Sequence, residues 1–486
     1  MIFLYIALPL AVAAVLPLLG KASKKVLPDL LGNATLAILL FVALSGVKNF
    51  WGGFGNPIVE RLGWFGETVN LQVTLDGFSQ FMLLTVQLVS LAVGLFSVSY
   101  MDHYGSKANY YALLLVMVAG MNGLLLSTDL FNVYIFLEVA AVASYALVAY
   151  GLEHDELEAS FKYLMLSVVA SAAILIAIAV LFGMTGGLSF AAVAEGLRSL
   201  PAKGVTAICA ALFLMGFGLK AALVPFHAWL PDAHPSAPAP ISAILSGLLI
   251  KVSGVYALAR IFFNVFGLTP ALSQVLLWLG AISVVVAAFL ALGQKDMKRM
   301  LAYSSVSQVG YVILGVGLGT PLGIAGGLFH LLNHALAKGL LFLTSGSVQQ
   351  ATGTRNLDEM GGLAKRMPVT AGASLVGSLS IAGVPPLGGF WSKLLIIVAL
   401  VQAGEGALAV IAVLASVLTL WYYLILQRKA FFGQLHERWR AVREAPFWMA
   451  AATVVLALLV IGVGILFSAV LKAWVAPAAD VLTKGY

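Results

Sequence analysis

Apolar runs of about 20 residues, separated by short polar breaks, recur along the whole chain and show no period-two alternation. Backbone inside a bilayer must satisfy its own hydrogen bonds, which leaves helices or closed barrels, and the missing alternation selects helices. Fourteen runs are predicted to span, with cores at 2–20, 31–47, 77–99, 110–127, 130–150, 161–183, 205–223, 239–262, 271–292, 301–319, 323–346, 370–401, 406–427 and 447–475. Only a Pro-rich joint separates the seventh from the eighth, and Pro385–Pro386 interrupt the twelfth. The expected fold is an all-α polytopic membrane protein of about fourteen transmembrane helices.

Composition agrees. Of 486 residues, 61% are hydrophobic and 10% charged, against about 25% charged in soluble domains. The single cysteine, Cys209, lies in an apolar run. It admits no intrachain disulfide and no haem-attachment, iron–sulfur or zinc spacing, so no cofactor is expected. The net charge of +7 says little about nucleic acid, because the basic residues sit in membrane connections, and no nucleic-acid partner is expected. The opening MIFLYIALPLAVAAVLPLLG has no basic leader and no small-residue cleavage site, and reads as a retained first helix.

Cytoplasmic connections carry an excess of Lys and Arg. Numbering each connection by the span it follows, the odd ones hold sixteen of the 27 basic residues, among them Lys21, Lys107 and Lys298. The even ones and the C-terminal end hold seven, among them Arg260. Odd connections are therefore expected in the cytoplasm and both termini outside. Four lysines remain, Lys220, Lys251, Lys338 and Lys393, each inside an apolar span. A mid-membrane charge costs about 2.5–3.5 kcal/mol on insertion scales, so four of them call for a use.

Carboxylates are scarce in the spans. Glu138 is the clearest, as a counter-charge for Lys220; Asp129, near a span's end, suits a helix cap. In FHLLNHALAKGL, His330, His334 and Lys338 fall at i, i+4 and i+8 on one helical face. HLLNH lacks the Glu of a zinc protease and an assured third ligand; a proton-relay face suits His–His–Lys better. Pro225 and Pro231 follow Lys220, and Pro385 and Pro386 precede Lys393. Broken helices in corresponding places point to a transporter built from repeats. The seventh and twelfth spans lie five apart, which predicts two inverted five-helix units, spans 4–8 and 9–13. The expected organisation is residues 1–108 for the first three helices, 109–262 and 270–427 for the repeats, and 428–486 for a surface segment and last helix. Lysine can lose and regain a proton as its neighbours change charge, whereas a bare metal cation wants several oxygen ligands. Many lysines and few carboxylates favour protons.

The chain resembles the antiporter-like subunits shared by Mrp cation/proton antiporters, respiratory complex I and membrane-bound hydrogenases. The resemblance runs over nearly the whole chain and is carried by DLFNVYIFLEV (129–139), GLKAALVPFHAWLPDAHPSAPAPISAILSGLLIKVSGVYALAR (218–260), HLLNHALAKGLLFLTSGSV (330–348) and SLSIAGVPPLGGFWSK (378–393). It implies fourteen helices with two inverted repeats. Glu138 and Lys220 match the family's glutamate–lysine pair, Lys251 its central lysine, and His227 a polar position between Lys220 and Lys251. His330, His334 and Lys338 match the polar helix between the half-channels, and Lys393 the ionisable residue of the second broken helix. The resemblance implies a proton-translocating subunit, with sodium a further candidate ion. Its partners would be other membrane subunits of an Mrp-type antiporter, a hydrogenase or a complex I-like assembly in an energy-coupling membrane. Length and Lys393 look most like the D-type component of Mrp antiporters or its hydrogenase counterpart. No redox chemistry is expected on this chain, although it fits a subunit of a proton-translocating oxidoreductase.

Two other classes compete: a stand-alone secondary transporter of a small solute, and a haem or quinone subunit, which would need histidines on facing helices. Residues 153–162 read as a charged cytoplasmic loop leading into a helix. Residues 427–446 read as a basic amphipathic segment on the membrane surface, and 51–74 as an outer loop or hairpin.

Overall fold

Polar side chains cap the starts of six of the long helices, and left-handed glycines end several others. The computed structural model describes residues 2–20, 24–49, 56–63, 70–199 and 203–484. The first helices are α1 (Leu4–Leu19) and α2 (Val26–Val47), followed by a hairpin of β1 (Ile58–Gly63) and β2 (Asn70–Leu75). The hairpin is antiparallel, pairing Ile58 with Leu75 and Gly63 with Asn70. Asp76 then caps α3 (Gly77–Tyr100) through the Ser79 amide at 2.8 Å. Ser106 caps α4 (Lys107–Leu126), and Asp129 caps α5 (Leu130–Val148) through the amides of Phe131 and Asn132, the role expected of it.

The long α6 (His154–Thr185) ends on Gly186 in the left-handed conformation, before a short α7 (Phe190–Ser199). The first broken helix comprises α8 (Lys203–Lys220) and α9 (Leu230–Ser236). The next span, α10 (Ala239–Val265), is π-bonded over Leu245–Tyr256 and again over Ile261–Val265. Then come α11 (Pro270–Leu292), α12 (Met297–Gly317) and α13 (Pro321–Thr352), each started by Thr269, Asp296 or Thr320 as cap. The second break separates α14 (Pro368–Ala382) from α15 (Gly388–Gln402). The chain finishes with α16 (Gly406–Ala430), α17 (Phe447–Ile465), a π-bonded turn at Leu471–Val475 and α18 (Ala476–Lys484).

All fourteen expected spans fall on helix. Among the described residues, eleven helices are long and apolar enough to cross a membrane. The protein is a multi-pass α-helical membrane protein. The central α13 is not one of the eleven, because it is too polar by composition; it is buried from Gly323 to Val348 apart from Ala325. It packs on α12, α15, α14, α10 and α17. A helix wrapped in protein need not be as apolar as one wrapped in lipid.

Two expectations change, and two segments gain detail. Residues 154–162 are the first turns of α6 and not a loop. Of residues 427–446, the first four finish α16, and beyond Ala430 only Glu437–Trp439 is helical. That segment is tied to the turn before α14 through Trp439 Nε1 on the Glu359 carbonyl. Lys429 and Lys295 hydrogen-bond Asp358 in the same turn and hold its carboxyl below its ordinary value. The hairpin read at 51–74 is present, with Ile58–Gly63 paired to Asn70–Leu75, while 51–55 and 64–69 lie outside the described residues, as does Lys21. Lastly, Lys107, Lys298 and Arg260 are not loop residues. All three are buried inside helices.

Close backbone approach shapes the second break. A Cβ on Gly389 would sit 1.7 Å from the Ser380 carbonyl oxygen, so α15 can start against α14 only with glycine there. Overpacking a tight core typically costs about 1–3 kcal/mol. Gly389→Ala is expected to lower the thermal midpoint and yield of monodisperse protein by at least that margin, as read by size-exclusion chromatography after heating.

Candidate functional site

The two helix breaks and the central α13 bring the ionisable residues into one buried band. Lys220 is the last residue of α8. Its Nζ donates to Ser167 Oγ on α6 at 2.5 Å and lies 3.6 Å from Glu138 Oε1 on α5. The Ser171 hydroxyl, one turn along α6, donates to the same Glu138 oxygen. The expected glutamate–lysine pair is therefore in contact, braced by two serines four residues apart. Lys220 is buried, whereas the Glu138 side chain is 28% exposed on the flank of the bundle.

Past Lys220, Ala222 takes the left-handed conformation (φ 56°) and the chain turns through Pro225 to α9. The indole of Trp229 donates to the Leu219 carbonyl at 2.9 Å, which also accepts from the Ala222 amide at 3.0 Å. Lys251 follows on the π-bonded stretch of α10, where its Nζ donates to the Ser246 carbonyl of its own helix. That stretch packs directly on the break: a Cβ at Gly254 would fall 2.4 Å from the Ala221 backbone. Its other side packs on α13. Lys251 thus stands between the Lys220 break and the His–Lys helix.

On α13 the rings of His330 and His334 are parallel, with centroids 6.3 Å apart. Lys338, one turn on, donates to the Leu301 carbonyl at 2.8 Å and to the Tyr423 hydroxyl at 3.0 Å. His330 Nδ1 meets Ser392 Oγ at 2.8 Å, and Ser392 precedes Lys393. The Lys393 ammonium bonds Ser416 Oγ at 2.9 Å and lies 4.8 Å over the Tyr311 ring, whose centroid is 5.6 Å from that of His330. Neither nitrogen of His334 has a hydrogen-bond partner among the described residues, nor has His330 Nε2. Unpaired buried polar atoms are uncommon and mark places where water or a proton carrier belongs.

His227 is the looser member. Its ring lies 6.3 Å from that of Tyr303, and no hydrogen bond among the described residues joins it to Lys220 or Lys251. The other seven residues form contacts or share packed helices. Chemically, the band is a chain of groups able to take up and release protons, spaced by hydroxyls and carbonyls.

Residues 127–419 match the family model described as "NADH:quinone oxidoreductase/Mrp antiporter, TM". The chain belongs to this antiporter family. Residues 64–111 match a second model, "NADH-Ubiquinone oxidoreductase (complex I), chain 5 N-terminus". The chain is 33% identical over 474 residues to the N-type component of NADH-quinone oxidoreductase of Desulforudis audaxviator, covering 95% of this chain and 94% of that one. It is 32% identical over 437 residues to the D-type component of the Na(+)/H(+) antiporter of Alkalihalophilus pseudofirmus, covering 89% and 87%. Among solved structures, a chain of the Mrp complex from Dietzia sp. superposes with a TM-score of 0.91 at 29% identity, covering 99% of this chain and 97% of that one.

Sequence reasoning missed the neutral partners of this antiporter-family chain: Ser167, Ser171, Ser392, Ser416, Tyr311 and Tyr423. Serines four apart on the apolar α6 were a readable signal for the first two. The tyrosines were not readable, because they reach the lysines from helices far off in sequence. Tyr423→Phe removes one of two acceptors of the Lys338 ammonium, a bond to a charged group worth about 1.5–3 kcal/mol. The variant is expected to lose thermal stability on that scale without changing its oligomeric profile, as read by a thermal melt beside size-exclusion chromatography.

Proposed function

We propose that this chain is a proton-translocating, antiporter-like subunit of a multisubunit membrane complex. Protons would move near mid-membrane along Glu138, Lys220, His227, Lys251, His330, His334, Lys338 and Lys393. The observation that carries the reading is the buried band itself. Four lysines and two histidines are sunk in the bundle, with one carboxylate in contact at one end among the described residues, and their remaining partners are hydroxyls and carbonyls. A binding site for a bare cation would be richer in oxygen anions. Relatives whose names print a Na(+)/H(+) antiporter and an NADH-quinone oxidoreductase support the same reading. The parent assembly is an Mrp-type antiporter or a hydrogenase or complex I-like complex.

Partner subunits follow from Glu138. A carboxylate at mid-span that is 28% exposed on the flank of the bundle would face hydrocarbon in an isolated chain, which is costly. A neighbouring membrane subunit covers it. We also read spans 4–8 and 9–13 as inverted repeats. In support, each broken helix carries a left-handed residue three positions before a proline: Ala222 before Pro225, and Gly383 before Pro386. The basic connections favour odd-numbered turns in the cytoplasm and both termini outside.

Lys220→Ala in the assembled complex is expected to cut coupled proton transport by about 100-fold, the scale of losing a positioned acid–base group. Glu138→Gln should behave similarly, and Glu138→Asp more mildly. Transport is read as acidification or alkalinisation of sealed vesicles, beside the amount of complex on a native gel. Wild-type transport by a fully assembled Lys220→Ala complex would sink the proposal.

A further inference from the structure

Arg260 lies nine residues beyond Lys251 on α10 and is 2% exposed. One guanidinium there ties several elements together. Its Nη2 donates to Asp76 Oδ1 at 2.6 Å and to Ser79 Oγ at 3.1 Å, at the start of α3. Its Nε donates to the Tyr256 hydroxyl at 2.8 Å, and that hydroxyl donates to the Leu125 carbonyl at the end of α4 at 2.7 Å. The guanidinium carbon lies 5.1 Å from the ring centroids of both Phe78 and Tyr256. Asp76 is itself buried and caps α3 through Ser79.

This knot closes the end of the π-bonded stretch. Tyr256 is its last residue and Lys251 lies five before it, which is one turn of i→i+5 bonding. Twelve residues of π-helix is long, since π-bonding occurs mostly as single turns and frequently at functional sites. The same register carries Gly254 against Ala221 and directs Lys251 between the first break and α13. A return to i→i+4 bonding would rotate Lys251 away from that line. Something must hold the wide register, and the fork at Tyr256 is placed to do it.

We propose that Arg260 is a positioning residue for Lys251: locked by Asp76, it holds Tyr256 and with it the π-bonded register that aims Lys251 into the proton path. This rests on the proton-translocation reading above.

The test separates positioning from charge balance. Arg260→Gln in the assembled complex is expected to lower proton transport by about tenfold or more, because small misplacements of a reacting group are costly. The single change also takes the guanidinium counter-charge away from the buried Asp76, which destabilises by itself. The double variant Asp76→Asn with Arg260→Gln removes both charges. It is expected to assemble in normal amount, still transport poorly, and show faster amide hydrogen exchange across 245–256 than the wild type. Recovery of wild-type transport in the double variant would reduce the pair to charge balance and overturn the proposal. If both variants lower the amount of complex, Arg260→Lys decides. Lysine keeps the charge beside Asp76 but cannot fork to Ser79 and Tyr256. Poor transport in that assembled variant supports positioning, and wild-type transport overturns it. Lys251→Ala is measured in parallel. Wild-type transport there defeats the proton-path reading itself, whereas its loss beside fully active Arg260 variants defeats only the positioning role.

Discussion

The structure depends on one constraint: an ammonium group sunk in a helical bundle must find acceptors, and a regular helix offers almost none. Its carbonyls are already spent on its own amides. At three of the four lysines the chain breaks or widens a helix, whereas Lys338 bonds the Leu301 carbonyl of the regular α12 and the Tyr423 hydroxyl. Lys393 reaches the Ala382 carbonyl, at the residue where α14 stops. Lys251 reaches the Ser246 carbonyl inside a π-bonded stretch. Lys220 sits on the last residue of α8, where the chain leaves helical geometry. In a membrane such irregular backbone is tolerated only where protein or water satisfies it. At Lys220, Lys251 and Lys393 the irregular backbone and the buried lysine thus occur together.

The partners are mostly neutral, which bears on what the band can do. A carboxylate at contact range favours the charged form of a lysine, whereas a serine or tyrosine hydroxyl can donate to it or accept from it. Glu138 touches Lys220 at one end, while Lys338 and Lys393 rest on hydroxyls and carbonyls. Among the described residues the ion pair of the band is thus at one end, and the other three lysines rest on neutral groups.

Much of this was legible in the sequence, and the failures share a physical cause. Hydrophobic runs gave the spans because lipid imposes length and composition on whatever crosses it. The band was legible because charges inside such runs are costly enough to demand a reason. Lys107, Lys298 and Arg260 were misread as loop residues, since each lies within a few residues of a polar break. Whether such a residue is in water or in protein depends on which neighbouring helix overhangs it. Asp76, packed against Arg260 from 184 positions away, leaves no local trace. The π-bonding of α10 was equally invisible, because helical periodicity over one turn barely distinguishes i+4 from i+5. The hydroxyl partners were hidden for the reason Arg260 was: tertiary packing, not local pattern, brings them in.

These observations combine in the way the band must work. Several ammonium groups sharing one low-dielectric core cannot all be charged at small cost, since like charges there repel with energies of several kcal/mol at contact range. Adding a proton at one site therefore disfavours the charged state of the next. A path built this way carries a change of charge from site to site rather than a stream of ions. Its coupling depends on the spacing of neighbours more than on any one partner. Backbone geometry sets that spacing here. The left-handed turn after Lys220, the wide register under Lys251 and the glycine contact of α15 with α14 each shape the backbone that carries a lysine. The lysines supply the chemistry, but the helix irregularities determine whether one site can sense the charge of another.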